Sequence, residues 1–374
     1  MKTVEFTTED GRTRYYLSGE DGLPVEPVLQ FLKFRDAAGY ARNSLKAECI
    51  QLMHYFTFLQ ERGKDYREVT VDDLARFVGW MKNPEIGKKI ISLRTEPAHA
   101  ADTINRHVDT VIAFYDYQLK HEGMENRLSE KLVVFVKNPT RAYRGFLYGI
   151  ADAKVSKSHL LKIPVPRQEI RTVSRDEAVV LLNACRNIRD YFLLYLLFET
   201  GMRIGEALAL WLEDFDISGC TIQIRDRGEL ENLAEIKTVA SPRRLDCTAE
   251  LMNLFSDYVC SCHNADVITN HVFIKVRGKE AGKALEYEDV DNIFRALRKR
   301  TGIYITPHMF RHTSLSLLYA SGWDPELLKI RAGHRNIYTT LNTYVHPTDA
   351  EVTEAFHKAS DSLGLPGYVK GGEQ

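Results

Sequence analysis

Four residues in the C-terminal part of the chain have the types and spacing for chemistry on an anion. His308, Arg311, His334 and Tyr344 fall within 37 positions of YITPHMFRHTSLSLLYASGWDPELLKIRAGHRNIYTTLNTYVH, the stretch from Tyr304 to His346. Thr306 as N-cap and Pro307 in the first helical position signal a helix start. His308 and Arg311, three apart, then share one face of its opening turns. Unpaired amides and the positive end of the helix dipole lie beside them, a ready place for an anion. An imidazole at His334 and a phenol at Tyr344 complete a set that suits a phosphate. A second stretch, ETGMRIGEALALWLEDFD from Glu199 to Asp216, sets Arg203 after a Thr200-Gly201 turn. Glu206 follows three residues on and can orient the guanidinium. Between two strongly apolar helical segments, Arg203 reads as a buried, deliberately held arginine rather than half of a surface ion pair.

Converging these groups requires a scaffold, and the pattern is mainly α with a small antiparallel β-sheet. Residues 1–24 carry two turn signals and a Thr/Tyr-rich piece, an N-terminal arm or small hairpin. Residues 25–130 show helical periodicity in four segments joined by short loops, a compact bundle. Arg42, Asn43 and Lys46 open one of its helices and Arg106 lies near the start of another, positions suited to phosphate or base contacts. Residues 131–171 read as a basic linker. From Lys131 to Arg175 there are ten Lys or Arg against two acids, interleaved with Tyr143, Phe146 and Tyr148. Arg141, Arg144, Lys154 and Lys157 in that run are candidate phosphate contacts, and Pro164 and Pro166 mark extended chain. Residues 172–374 form the second domain with its C-terminal tail. Ser174 and Glu177 make a capping box, and Asp190–Glu199 is apolar on nearly every side, hence a buried helix. Thr221–Arg225, Glu235–Thr238 and Arg244–Cys247 are expected as strands, and Ala249–Tyr258 and Val290–Lys299 as helices. Gly322 ends the helix begun at Pro307; Asp324-Pro325 starts another that Gly333 ends.

Composition narrows the class. The 374 residues are enough for two ordinary cores, with 44% apolar and 27% charged residues and a net charge of −1. No apolar run approaches the ~20 residues that span a bilayer, and the N-terminus lacks the apolar core of a signal peptide. The expected compartment is the cytoplasm, with no membrane partner. Six cysteines scattered through a long chain do not form a disulfide framework. Cys260-Ser261-Cys262-His263, with His271 nearby, is tighter than zinc-ligand spacing and follows an apparent helix, so no metal is expected there. His308 to His312 lacks the glutamate after the first histidine that a zinc protease needs.

Together these residues make the chain resemble the tyrosine recombinase (phage integrase) family. The resemblance is strong over about Thr172–Phe356 and weaker over Pro27–Leu128, which looks like the family's helical, SAM-like core-binding domain. The family's T-G-x-R-x-x-E is matched by Thr200, Gly201, Arg203 and Glu206; H-x-x-R-H by His308, Arg311 and His312; G-H by Gly333 and His334; and the tyrosine some ten residues on by Tyr344. Two departures stand out: the usual L-G-H is here Arg331-Ala332-Gly333-His334, and the hairpin between Ile224 and Lys237 is long and acidic.

The resemblance implies a site-specific DNA recombinase that integrates, excises or transposes a mobile element. Tyr344 would attack a phosphodiester, giving a 3′-phosphotyrosyl link and a 5′-hydroxyl, with His308 accepting the proton. Arg203 and Arg311 would clamp the phosphorane, His334 would bond a non-bridging oxygen, and Glu206 and His312 would support them. The family's hairpin lysine, which protonates the leaving 5′-oxygen, is best matched by Lys237, with Lys275 and Lys279 as competitors. Charge neutralisation by arginines implies no metal or other cofactor, and conserving the bond in phosphotyrosine implies no ATP. The implied partners are double-stranded DNA gripped by both domains, a homo-tetramer on two synapsed sites, and a second recombinase or accessory DNA-bending protein. The wording of GMRIGEALALWLEDFD and YVHPTDAE looks most like transposases of site-specific transposons. Two other readings compete: a recombinase-fold accessory protein that only binds DNA, which predicts a missing catalytic group, and a type IB topoisomerase-like enzyme working alone.

Overall fold

The structure, a computed structural model, describes residues 1–83, 98–137, 155–165, 171–236, 240–264, 267–337 and 340, with the backbone alone at 133–137 and 155–158. The chain divides into two compact units, Met1–Gln168 and Glu169–Gln374.

The first unit is a helical bundle with two antiparallel strand pairs. Strands β1 (Lys2–Thr7) and β2 (Thr13–Ser18) pair antiparallel from Lys2↔Ser18 to Thr7↔Thr13, and β2 buries Tyr15 and Leu17 in the unit's core. Helices α1 (Glu26–Ala37), α2 (Arg42–Glu61), α3 (Val71–Lys82) and α4 (Ala101–His121) follow, with a short α5 (Leu128–Leu132). Their shared faces are aromatic: Phe31, Phe58, Phe77 and Phe114 are buried. Tyr115 Oη donates to Tyr66 O (2.6 Å), so its contact with Tyr55 Oη (2.8 Å) is one in which Tyr55 donates, and both buried phenols are satisfied. The stretch read as a linker contains structure of its own. Strands β3 (Val133–Lys137) and β4 (Val155–His159) pair antiparallel, and Asn105 grips Ile163 by both amide groups, accepting from its N–H (2.9 Å) and donating to its carbonyl (2.8 Å). A run of charge alone does not exclude strand pairing, which uses backbone groups.

The second unit is built around α7 (Ile188–Thr200), whose Phe192, Leu193, Leu194, Leu196 and Leu197 are fully buried. It packs against α6 (Arg175–Asn183), α9 (Ala249–Cys262) and α11 (Pro307–Ala320). The sheet has β5 (Phe215–Asp216), β6 (Thr221–Ile224) and β7 (Arg243–Asp246) in that order, all antiparallel. Short α8 (Ile204–Leu208), α10 (Tyr287–Thr301) and α12 (Pro325–Ala332) complete the described part. The strand expected at Glu235–Thr238 is not found in the residues described there: Glu235 and Ile236 lie outside any strand, and 237–239 are outside the described residues. Leu233 takes a positive φ of 59°, and buried Asn232 donates to the carbonyls of Leu208 and Leu285 (both 3.0 Å), which pins the segment in an irregular path. Among the described residues, no helix is long and apolar enough to cross a membrane.

Candidate active site

The last carbonyls of a helix have no partner within it. In α12 they are taken by arginines from three other elements. Arg243 Nε, on β7, donates to Arg331 O (2.6 Å), Arg311 Nη2, on α11, to Ala332 O (2.5 Å), and Arg203 Nη2, before α8, to Gly333 O (3.2 Å). The negative end of the helix dipole favours this gathering of cations. Gly333 ends α12 in the left-handed region (φ 60°), where a Cβ would stand 2.7 Å from Arg243 Nη1 and 3.1 Å from Ala240 O. The position therefore needs glycine for both conformation and space. Arg311, only 1% exposed, also donates from Nη1 to Gly201 O (2.7 Å), the carbonyl that follows α7.

Glu206 is the acid at the centre of this cluster. It is 1% exposed and accepts from Arg203 N (2.9 Å) and Arg203 Nη1 (2.8 Å). Arg243 forks onto both of its oxygens, Nη1 to Oε1 at 3.1 Å and Nη2 to Oε2 at 3.0 Å. Burial alone would raise its pKa; the Arg243 and Arg203 guanidiniums outweigh that and hold the carboxyl at about 2. Gly205 lets α8 approach this cluster, since a Cβ there would overlap Tyr287 Oη and lie 2.8 Å from Glu235 O.

His334 follows directly. Its Nε2 is 3.0 Å from Arg311 Nη2 and its Nδ1 2.9 Å from Thr340 Oγ1. Arginine only donates, so Nε2 accepts and the proton sits on Nδ1. Burial, with Arg311, Arg203 and Arg243 nearby, pushes its pKa down to about 3 and keeps the ring neutral. In α11, His308 is exposed, and its ring stands edge-on to His312 with centroids 4.2 Å apart. Burial, His308 and Arg311 together push the His312 pKa down to about 4.

The structure thus brings together Arg203, Glu206, Arg311 and His334, with His308 and His312 on the Arg311 helix. Lys237 and Tyr344 lie outside the described residues. Of the competing lysines, Lys275 is held by Glu280 (2.8 Å), Glu286 (3.0 Å) and Asp289 (3.5 Å), and these carboxylates raise its pKa, Glu280 most. A lysine so held is a poor proton donor; Lys279 is exposed in the turn beyond it. His263 and His271 contact backbone carbonyls of Val272 (2.9 Å) and Leu208 (3.2 Å), and Cys260 and Cys262 lie in the last turn of α9.

In the first unit, Lys46 is exposed with its Nζ 5.3 Å over the Tyr15 ring, and exposed Arg106 pairs with Asp102 at 2.8 Å. Asn43 is exposed, but Arg42 is 5% exposed and donates to Asn43 Oδ1 at 3.3 Å, so its charge is turned into the unit rather than presented at the helix start. Arg141, Arg144 and Lys154 lie outside the described residues, as does the side chain of Lys157.

Sequence reasoning passed over Arg243. The signal was present: in Arg243–Asp246 exposure alternates, with Arg243 and Leu245 buried and Arg244 and Asp246 exposed, so parity with the inward leucine places Arg243 inside.

The family profile described as the phage integrase family matches residues 171–351. The chain is 34% identical over 347 residues to transposase A from transposon Tn554 of Staphylococcus aureus, covering 92% of this chain and 93% of that protein. It is 24% identical over 331 residues to the tyrosine recombinase XerA of Saccharolobus solfataricus, covering 87% and 89%. Among solved structures, the Tn1549 transposon integrase in complex with a circular intermediate DNA aligns with a TM-score of 0.62 at 18% identity, covering 89% of this chain and 99% of that one.

Proposed function

The chain belongs to the phage integrase family and is a tyrosine recombinase, an enzyme of site-specific DNA recombination in a mobile element, and from that premise we propose which residues carry its reaction. Arg203 and Arg311 bind the scissile phosphate. The observation that carries this reading is that both guanidiniums are anchored on one short row of α12 carbonyls, with neutral His334 against Arg311. Anchored donors need no reorganisation as charge builds on the phosphorane.

Tyr344 is the nucleophile. Its Oη attacks phosphorus, the bond to the 5′-oxygen breaks, and a 3′-phosphotyrosyl ester and a 5′-hydroxyl result. A free phenol has a pKa of ~10, so attack requires a proton acceptor, and His308 takes the proton. Lys237 protonates the departing 5′-oxygen; the carboxylate cage around Lys275 supports this choice over its competitor. The 5′-hydroxyl of a second strand then reverses the step, so the phosphodiester count is conserved. The Tn554 relative supports transposition as the biological role, and the cytoplasm as the place where such DNA is met. We further propose that four protomers act on two synapsed sites, aided by a second recombinase or a DNA-bending protein. The basic stretch at 131–171 and the exposed Lys46 and Arg106 follow the DNA backbone, which makes binding steeply salt-dependent.

The test is a duplex nicked close to the cleavage point, so that the short 5′-hydroxyl fragment diffuses away and the covalent adduct accumulates. Wild type should give an adduct that denaturing gels retain, with or without EDTA, and Tyr344→Phe should give none. An unchanged adduct in Tyr344→Phe would refute the nucleophile assignment. Adduct and relaxation without strand exchange between two sites would favour the topoisomerase-like reading.

A further inference from the structure

Glu206 faces two guanidiniums, and the second belongs to a residue without a part in the reaction as derived above. Arg243 is locked by acceptors on three sides: both Glu206 oxygens (3.1 and 3.0 Å), Arg331 O (2.6 Å) and Ser241 O (2.7 Å). Its side chain is 6% exposed, against 20% for Arg203. Gly333 leaves just the room that Arg243 occupies, a Cβ there falling 2.7 Å from its Nη1. Arg243 is therefore turned toward the acid and away from solvent, while Arg203 retains an accessible edge.

The consequence is electrostatic. A buried carboxylate beside a single guanidinium competes with an incoming phosphate for the same N–H groups and cancels the same charge. With Arg243 taking the carboxylate in a fork, the cluster of Arg203, Arg243, Arg311 and Glu206 keeps two net positive charges. Without Arg243 it keeps one.

We propose that Arg243 is a positioning residue for DNA cleavage: by occupying both oxygens of Glu206 it leaves Arg203 its charge and its outward donors for the scissile phosphate. This rests on Arg203 and Arg311 being the phosphate clamp.

Four variants in single-turnover cleavage of the nicked duplex separate the possibilities, each run below its own melting midpoint and at saturating DNA. Arg243→Gln should cleave about 30- to 100-fold more slowly than wild type, somewhat less than the loss of a direct oxyanion donor, with DNA affinity changed less than about threefold. Glu206→Gln/Arg243→Gln removes the acid together with its counter-charge, and should cleave at least about tenfold faster than Arg243→Gln. A merely structural arginine predicts the opposite, because a second buried substitution would only add damage. Arg243→Gln within about threefold of wild type, or a double variant no faster than the single, overturns the proposal. Arg203→Ala on the same substrate tests the foundation: wild-type cleavage there rejects the clamp itself, whereas an inactive Arg203→Ala beside a fully active Arg243→Gln rejects the role of Arg243 alone. If Arg243→Gln does not fold, Glu206→Gln is compared with Glu206→Gln/Arg243→Gln. With the acid already neutral, losing Arg243 should alter the rate less than about threefold, and a loss of tenfold or more refutes the assignment.

Discussion

Replacing Gly333 by alanine should cost far more than an ordinary helix-ending glycine, and the excess measures how tightly Arg243 is held. Two terms contribute. Gly333 has φ 60°, and an L-residue in that region costs about 1 kcal/mol relative to glycine. The new Cβ also lies 2.7 Å from Arg243 Nη1 and 3.1 Å from Arg243 Cζ, so the guanidinium must move. Nη1 is bonded to Glu206 Oε1 and Ser241 O, and each weakened bond to a charged group is worth ~1.5 kcal/mol or more. The total is roughly 3–5 kcal/mol, which for a unit of this size lowers its melting temperature by about 6–20 °C. Gly302 provides the control. It ends α10 with φ 73° and nothing within 4 Å of its Cβ position, so Gly302→Ala should show only the backbone term, about 2–4 °C. Calorimetry of both full-length variants makes the comparison. Equal shifts would mean that Arg243 yields without loss and that the crowding at Gly333 is of no consequence.

Lys237→Ala should slow cleavage by about 100-fold or more, yet by less than about threefold when sulfur replaces the 5′-bridging oxygen, since a thiolate departs without a proton; equal slowing on both substrates would remove Lys237 from the proton-donor role. Lys275→Ala should cleave ordinary DNA at the wild-type rate, a result that a loss of tenfold or more would contradict. For pH, His334 and His312 are lowered from 6.5 to about 3 and about 4. The unfolded chain therefore binds more protons below pH 6.5, so stability is intact above that value and falls as the pH drops toward 4. Between pH 7.5 and 5.5 the loss is on the order of 2 kcal/mol, and His334→Gln should show a shallower decline in chemical denaturation; an identical decline would show that His334 does not drive it.

Much of the site was legible because its chemistry is carried by local spacing. Arg203 and Glu206 are three apart, and the turn between Thr200 and Gly201 that precedes them is a glycine signal; both survive translation into structure because neighbours in sequence remain neighbours on a helix. The boundaries of α11 and α12 were likewise readable from Thr306-Pro307, Gly322, Asp324-Pro325 and Gly333. Contacts that cross long separations were not. Arg243 meets Glu206 across 37 residues and Arg331 across 88, and nothing local announces either meeting. Arg42 shows the same limit. A helix start says that charge is available there, but the direction of the side chain is set by the packing of β2, α1 and α2, which only the folded unit reveals.

The row of carbonyls closing α12 has a further consequence for how information is stored in this chain. A backbone carbonyl is the same group whatever side chain its residue bears, so the acceptors of three arginines are written in geometry rather than in letters. A substitution scan across 331 and 332 probes side chains and leaves the acceptors themselves untouched. What perturbs them is chemistry on the main chain. An amide-to-ester replacement at 333, which turns the Ala332 carbonyl into a poorer acceptor, would loosen Arg311 without changing a single side chain.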